Sequence, residues 1–244
     1  MAGFLYHFFH NETNDRTERG LVNIPEDIED WPQEWKEIEH KRYLLLRPVP
    51  LPEAQTGLFE LLSRRRSDKD SVLGNVITLA VLAKILQCGY GLQKTVVAGR
   101  SERRTVPSAG QRYPLEIYPV LFKDIDGCKA GIYHYGVREH VLEPVTADGF
   151  TRDELLSYIR QEWLADVTGV ICISAVLSRT TGKYGSRGYR YILLEAGHAA
   201  QNMLLAGTEN DVNMVPVGGA NEVDFERKIG LMDSNERIMY MLFF

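Results

Sequence analysis

Apolar positions along this chain follow two rhythms, one helical and one alternating. In EAQTGLFELLSRRRSDKD, Leu58, Leu61 and Leu62 share a face and predict a short helix over 53–64. VITLAVLAKILQCGYG is apolar almost throughout, which predicts a buried helix over 76–88, stopped by Gly89 and Gly91. FTRDELLSYIRQEWL opens on Thr151 with Glu154 three residues later, a capping box for a helix over 152–162. The strongest helical stripe is Ile192, Leu193, Ala196, Ala199, Ala200, Met203, Leu204 and Gly207. It predicts a central core helix over 188–207 with a share in a subunit interface, where Gly197 and Ala200 permit close backbone approach. His198 lies on that helix and receives no role. NEVDFERKIGL predicts a small further helix.

The alternating and continuous runs predict strands. LEIYPVLF (115–122), AGIYHYG (130–136) and HVLEPV (140–145) form an antiparallel set, with DIDG turning between the first two. Pro119 lacks an amide hydrogen, so its strand is at an edge or interrupted there. TGVICISAVL (168–177) is apolar without a break, as a strand covered on both faces is. VPVGG and ERIMYMLFF supply a short and a terminal strand. The result is an α+β fold: a mostly antiparallel sheet flanked by helices around a buried central helix. Residues 1–52 are different, with Trp31 and Trp35 to bury and Pro48, Pro50 and Pro52 to keep the chain extended. They predict an arm docked on a core domain of residues 53–244.

Composition narrows the function. The 244 residues are 44% apolar and 25% charged, enough for a sizeable core. Net charge is −5 and the longest basic run is Arg64-Arg65-Arg66, which argues against a nucleic-acid partner. No apolar run approaches the roughly 18 residues of a membrane span, and the N-terminal residues lack a basic-then-apolar signal pattern. Asn11-Glu12-Thr13 matches a glycosylation pattern that means little without such a signal. Cys88, Cys128 and Cys172 are odd in number and far apart, so neither a disulfide framework nor a zinc site is expected. Cys172 sits in an apolar run as a buried thiol, and the whole fits a reducing cytoplasm.

Four places carry candidate chemistry. Arg65, Ser67 and Lys69 alternate, so in an extended segment a guanidinium, a hydroxyl and an ammonium share one side and suit a phosphate. The plainer reading is a set of cations complementing a helix C-terminus. PSAG (Pro107, Ser108, Ala109, Gly110) and VPVGG (Pro216, Val217, Gly218) each join a proline that fixes the backbone to a glycine that admits a neighbour, as a flat ring would require. Lys183-Tyr184 puts a cation and a phenol at a helix entrance, either as proton-handling groups or as an exposed pair with no role. The chain has no GxGxxG after a strand, no GxxxxGK[ST] and no GxSxG.

The order RRSDK, GYG, RTVPSAGQRYPLEIY, AGIYHYGVREHVLEPV, KYGSRGYRYILLEAGHAAQNM, VPVGG and a terminal strand resembles the SagB-type dehydrogenases of the nitroreductase superfamily, over about residues 31–244. The resemblance implies an FMN-binding homodimer with its sites at the subunit interface. It places the phosphate side on Arg65, Arg66, Ser67 and Lys69, a loop from the partner subunit on Pro107–Gly110, and the turn near the reactive flavin edge on Pro216, Val217 and Gly218. A Lys-Tyr pair of azoline-oxidising members falls on Lys183 and Tyr184. The activity implied is oxidation of thiazolines or oxazolines to azoles in a ribosomal peptide, with a cyclodehydratase complex as a partner. An NAD(P)H-dependent nitro- or quinone reductase and a flavin-bearing scaffold subunit are the alternatives. Two departures stand out: Lys69 replaces a frequent Arg and loses its fork, and the sequence ends at Phe244 where many relatives run further.

Overall fold

The structure is a computed structural model that describes residues 4–13, 28–36, 40–41, 47, 49–93, 102–146, 148–218, 220–232 and 234–244. Much of the expected N-terminal arm, Pro48 included, lies outside the described residues, and Pro50 and Pro52 lie in a stretch without regular structure. Within the arm, α1 (Phe4–Thr13) and the single turn α2 (Gln33–Lys36) form. Trp31 and Trp35 pack edge to face on each other, 6.2 Å between centroids.

Side-chain caps set the next helices. Thr56 accepts from the Phe59 amide and starts α3 (Gly57–Arg64). Asp68 accepts from the Ser71 amide and starts α4 (Lys69–Leu73). Only the residues between these helices are extended, so the predicted alternation holds for Arg65 and Ser67 but breaks at Lys69, which enters a helix. Thr78 caps α5 (Leu79–Tyr90), and Gly91 ends it. Gly89 does not stop this helix. It lies inside it, at a point where α5 meets α8 so closely that a Cβ would sit 2.3 Å from Met203 Cγ.

Strands β1 (Leu115–Leu121), β2 (Gly131–Gly136) and β3 (Val141–Thr146) follow. The capping box on Thr151 and Glu154 forms and opens α6 (Arg152–Tyr158). That helix ends earlier than predicted, at extended Ile159, and Glu162–Asp166 makes a separate 3-10 turn. After β4 (Gly169–Val176) come α7 (Leu177–Tyr184), α8 (Arg187–Glu209), β5 (Val215–Val217), α9 (Glu222–Ile229) and β6 (Glu236–Phe243). The sequence pattern showed no α7, because only Leu177 and Thr180 are buried along it. Lys183 and Tyr184 therefore end one helix rather than open the next, and Gly185 at φ 57° makes the break.

The six strands are antiparallel, in the order β3-β2-β1-β4-β6-β5. Alternation sorts their side chains between two cores. Leu115, Ile117, Ile171, Ile173 and Leu242 face α5 and α8. Tyr118, Val120, Val170, Cys172 and Met241 face α6 and α9. Each fully buried aliphatic side chain contributes about 1.5–3 kcal/mol. Two covered faces explain the unbroken apolar run of β4, which is central. Pro119 is not at an edge, since β1 lies between β2 and β4; it interrupts, and pairing to β2 holds only at Val120 and Leu121.

The buried stripe of α8 is Ile192, Ala196, Ala199, Ala200, Met203 and Leu204, but Leu193 is 40% exposed. Gly197 provides no close approach within the chain: nothing lies within 4 Å of a Cβ placed there. Tyr6, Phe9 and His10 of α1 lie against Tyr189 of α8, with His10 Nδ1 2.9 Å from the Tyr189 hydroxyl.

Candidate functional site

The turn between α5 and β1 is backbone-strained. Gly110, Gln111 and Tyr113 have φ of 58°, 56° and 44°. For the two that are not glycine this is a sparsely populated region, costing about 1–3 kcal/mol each, of the kind that surrounding contacts must hold. The conformation brings Gly110 onto the end of α7 in the same chain. A Cβ at Gly110 would lie 2.4 Å from the Tyr184 hydroxyl and 2.6 Å from Lys183 Nζ. The two polar heads therefore converge on a point that only a glycine leaves open. Tyr184 is steadied edge-on by the Tyr191 ring at 5.2 Å, and Lys183 Nζ lies 5.3 Å from the Tyr184 ring centre.

Beneath the turn is a polar network that the sequence reading did not single out. Tyr113 N–H donates to Ser108 Oγ at 2.9 Å, and the Ser108 hydroxyl acts on the Glu195 carboxyl to lower its pKa. Tyr90 donates to Glu195 Oε1 at 2.9 Å and accepts from the Leu115 amide at 3.2 Å. The Arg104 guanidinium stacks over the Tyr90 ring at 4.5 Å, and its main-chain amide donates to the Tyr113 hydroxyl at 3.4 Å. Burial pushes the Glu195 carboxyl above the usual range, with Ser108, Tyr90 and Arg104 pulling back. Burial, then the adjacent Glu195, pushes the Tyr90 phenol far up. The one signal in the sequence was a carboxylate on the apolar stripe of a core helix.

A second set of polar contacts ties α7 to the sheet. Arg179 Nη1 pairs with Glu116 Oε1 at 2.5 Å, and Glu116 Oε2 lies 3.0 Å from His134 Nε2. Glu143 Oε2 lies 2.7 Å from His134 Nδ1. Hydrogen bonding to Glu116 chiefly, against the opposing effect of burial, raises the His134 pKa to about 9. Arg112, at the edge of the strained turn, donates from Nε to the Arg179 carbonyl at 2.9 Å.

The basic segment is built otherwise. Arg64 pairs with Asp211 at 2.9 Å and donates to the Thr208 carbonyl at the end of α8, a cation at the negative end of that helix. Arg65 Nη1 donates to Ser67 Oγ at 3.0 Å, and Ser67 Oγ lies 3.4 Å from the Met214 carbonyl. Asn75 clamps Asn213 through both its amide and carbonyl, at 2.6 and 3.0 Å. This draws Arg65 and Ser67 to the start of the Pro216–Gly218 turn. Val217 points into the core, Pro216 is half-buried, and a Cβ at Gly218 would meet nothing within 4 Å. Arg66 and Lys69 are exposed. The expected site residues thus fall into two groups: Pro107–Gly110 with Lys183 and Tyr184, and Arg65 and Ser67 with the 214–218 segment. Among the described residues no hydrogen bond joins the two.

An antiparallel sheet packed on a central helix, with a glycine turn facing a lysine and a tyrosine at the end of α7, defines an α+β protein. The chain belongs to the nitroreductase family, whose model matches residues 62–244. It is 35% identical over 171 residues to a Methanocaldococcus jannaschii protein named "Putative nitroreductase MJ1384", covering 70% of this chain and 83% of that one. It is 32% identical over 113 residues to the microcin B17-processing protein McbC of Escherichia coli, covering 45% of this chain and 42% of McbC. The chain thus matches less than half the length of that processing protein. Among solved structures, the E. coli microcin synthetase McbBCD complex with truncated pro-MccB17 bound contains a chain of the same fold, with TM-score 0.73 and 22% identity, covering 99% of this chain and 91% of that one. A nitroreductase-type protein of Desulfovibrio desulfuricans in complex with FMN shares the fold at TM-score 0.52 and 14% identity, covering 78% and 86%.

Proposed function

We propose that the protein is an FMN-dependent dehydrogenase that oxidises thiazoline or oxazoline rings of a ribosomal peptide to azoles. The observation that carries this reading is the convergence of Lys183 Nζ and the Tyr184 hydroxyl on Gly110. An azoline must lose a proton from Cα and two electrons with the Cβ hydrogen. The convergence brings two groups able to hold or move a proton to one point on the protein, packed against the Gly110 backbone. FMN, when bound, accepts the electrons. Lys183 or Tyr184 takes the proton and the other orients it.

The donor set fits the cofactor. Arg65 commits one of its five donors, to Ser67, and supplies charge for a phosphate. Gly218 leaves open space for a ring edge. Arg66 and Lys69 add positive charge to the approach. Because no hydrogen bond joins the two groups of site residues among the described residues, the reading brings them together across a homodimer, Arg65 and Gly218 of one subunit against the turn of the other. The similarity to a microcin-processing protein supports a peptide substrate and a cyclodehydratase partner. The name of the archaeal relative supports a second reading, an NAD(P)H-dependent reductase.

One experiment separates them. The purified, FMN-loaded protein is given an azoline-containing peptide, and separately NAD(P)H with a nitroarene or quinone. A two-dalton loss from the peptide with oxygen as final acceptor is expected. Rapid NAD(P)H consumption without peptide oxidation would replace this reading with the reductase.

A further inference from the structure

Glu195 is 3% exposed, in the middle of α8, on the face that otherwise carries Ile192, Ala196 and Ala199. A carboxyl in such a place costs free energy unless its neighbours need it. The Tyr90 hydroxyl, at the root of the strained turn, donates to it at 2.9 Å, and the Ser108 hydroxyl within the turn lowers its pKa. Ser108 Oγ in turn accepts from Tyr113 N–H, and Tyr90 Oη from Leu115 N–H. One carboxyl thus governs both the first residue held at the end of the turn and the first residue of β1.

We propose that Glu195 is a positioning residue: its carboxyl orients the Ser108 and Tyr90 hydroxyls, and through them holds Pro107–Tyr113 in the conformation that sets Gly110 against Lys183 and Tyr184. The role of the turn in catalysis rests on the functional reading above; the anchoring itself does not. A hydroxyl with a free rotor accepts an amide hydrogen well only when its own proton is directed elsewhere, and Glu195 gives both hydroxyls that direction. Arg104 closes the network from the other side, stacked on Tyr90 and donating from its main chain to the Tyr113 hydroxyl. Its neighbours extend the support: Thr105 N–H donates to Gly91 O at 3.0 Å, and Gln93 N–H to Arg103 O at 2.8 Å.

The test is residue-resolved amide exchange on the full chain, with FMN added, in the parent and in Glu195→Ala, Glu195→Gln and Tyr90→Phe. The Tyr113 and Leu115 amides report the turn; Ile171 and Leu242 amides report the sheet. In Glu195→Ala, exchange at Tyr113 and Leu115 should accelerate at least tenfold while Ile171 and Leu242 keep their rates. Glu195→Gln, which fills the same volume and still accepts one hydrogen bond, should restore most of the protection. Should Glu195→Ala fail to fold, Tyr90→Phe keeps the ring and its Arg104 contact and should still accelerate Leu115. Adding Ser108→Ala to Glu195→Ala should change Tyr113 little further, because the two act in series. Unchanged Tyr113 exchange in Glu195→Ala, or equal acceleration of the sheet amides, would overturn the proposal. Either outcome is independent of whether the protein oxidises azolines.

Discussion

The two halves of the candidate site are held in opposite ways. The Pro107–Tyr113 turn is backbone-strained, and it is flanked by the core pair Tyr90 and Glu195, with Tyr90 accepting from the Leu115 amide just after it and Arg104 donating to Tyr113. The Arg64–Lys69 segment is unstrained and mostly exposed, and among the described residues the Arg65 and Ser67 side chains hydrogen-bond only each other and the Met214 carbonyl. A group that must place a base within hydrogen-bond reach of a carbon acid needs a fixed geometry, whereas a charge that attracts a phosphate tolerates movement. The difference in construction therefore marks the turn as the chemical side and the basic segment as the holding side.

The largest effect should come from the convergent pair. Lys183→Ala and Tyr184→Phe should each reduce azoline oxidation by about 10²–10⁴-fold, the usual contribution of a general acid or base. FMN content and dithionite reduction of the bound flavin should stay at the parent level. Combined, the losses should fall short of their product, since groups acting as a unit are not additive. Parent rates in both variants would make the pair structural and break the division of labour.

A glycine exchange comes next. Gly110→Ala adds a Cβ into the Lys183 and Tyr184 heads at a φ of 58°, so both strain and displacement follow. A shift of about 1 Å in such a group can cost about 10²-fold in rate, and that is the loss expected in the peptide assay. Gly218→Ala meets no atom within 4 Å and should leave the melting temperature unchanged. Any effect it has should appear in FMN affinity, measured by fluorescence quenching.

What the sequence disclosed follows the same line. The strands and main helices were legible because two covered sheet faces and a buried helix leave long apolar patterns, as in β4 and α8. Helix α7 was not, because its burial is limited to Leu177 and Thr180 and its position is set by Arg179 reaching Glu116 on β1. Pro119 signalled an interruption correctly, but no local rule says that β4 covers its other side. In the site, Lys183, Tyr184 and Gly110 were named as separate motifs; their meeting depends on the positive φ values of the turn and the break at Gly185. Glu195 and Tyr90 were hidden inside apolar stripes, where a single polar residue is visible only once its partners are.

On the holding side the effect should be smaller. Arg65→Ala should weaken FMN binding about ten- to a hundredfold, the loss of a charge-assisted contact of about 1.5–3 kcal/mol. Arg64→Ala is the control. Arg64 is committed to Asp211 and the Thr208 carbonyl on an exposed surface, so its removal should change stability by no more than about 1 kcal/mol and FMN affinity not at all. Equal FMN losses for the two would mean that general positive charge, rather than the Arg65–Ser67 geometry, attracts the phosphate.

The smallest expected effect tests whether the chemical side is also tied electrostatically. His134 bridges Glu116 and Glu143, and Glu116 carries Arg179 of α7, the helix that ends in Lys183 and Tyr184. The His134 pKa is raised to about 9, chiefly by its hydrogen bond to Glu116. Between the ordinary histidine value near 6.5 and about 9, the folded chain holds a proton that the unfolded chain has released, so stability falls as pH rises. The contribution is complete below about pH 6.5 and is lost as pH passes through about 9. Partial exposure of the histidine keeps it small. Melting temperature should therefore decline between pH 7 and 10 in the parent, and decline less in His134→Asn. The amides of α7 should lose protection over the same range while those of α3 keep theirs. A parent and a His134→Asn variant with parallel pH profiles would show that the Glu116 pair with Arg179 holds α7 unaided, and that the charged bridge adds nothing to the rigidity that sets the turn side apart from the basic side.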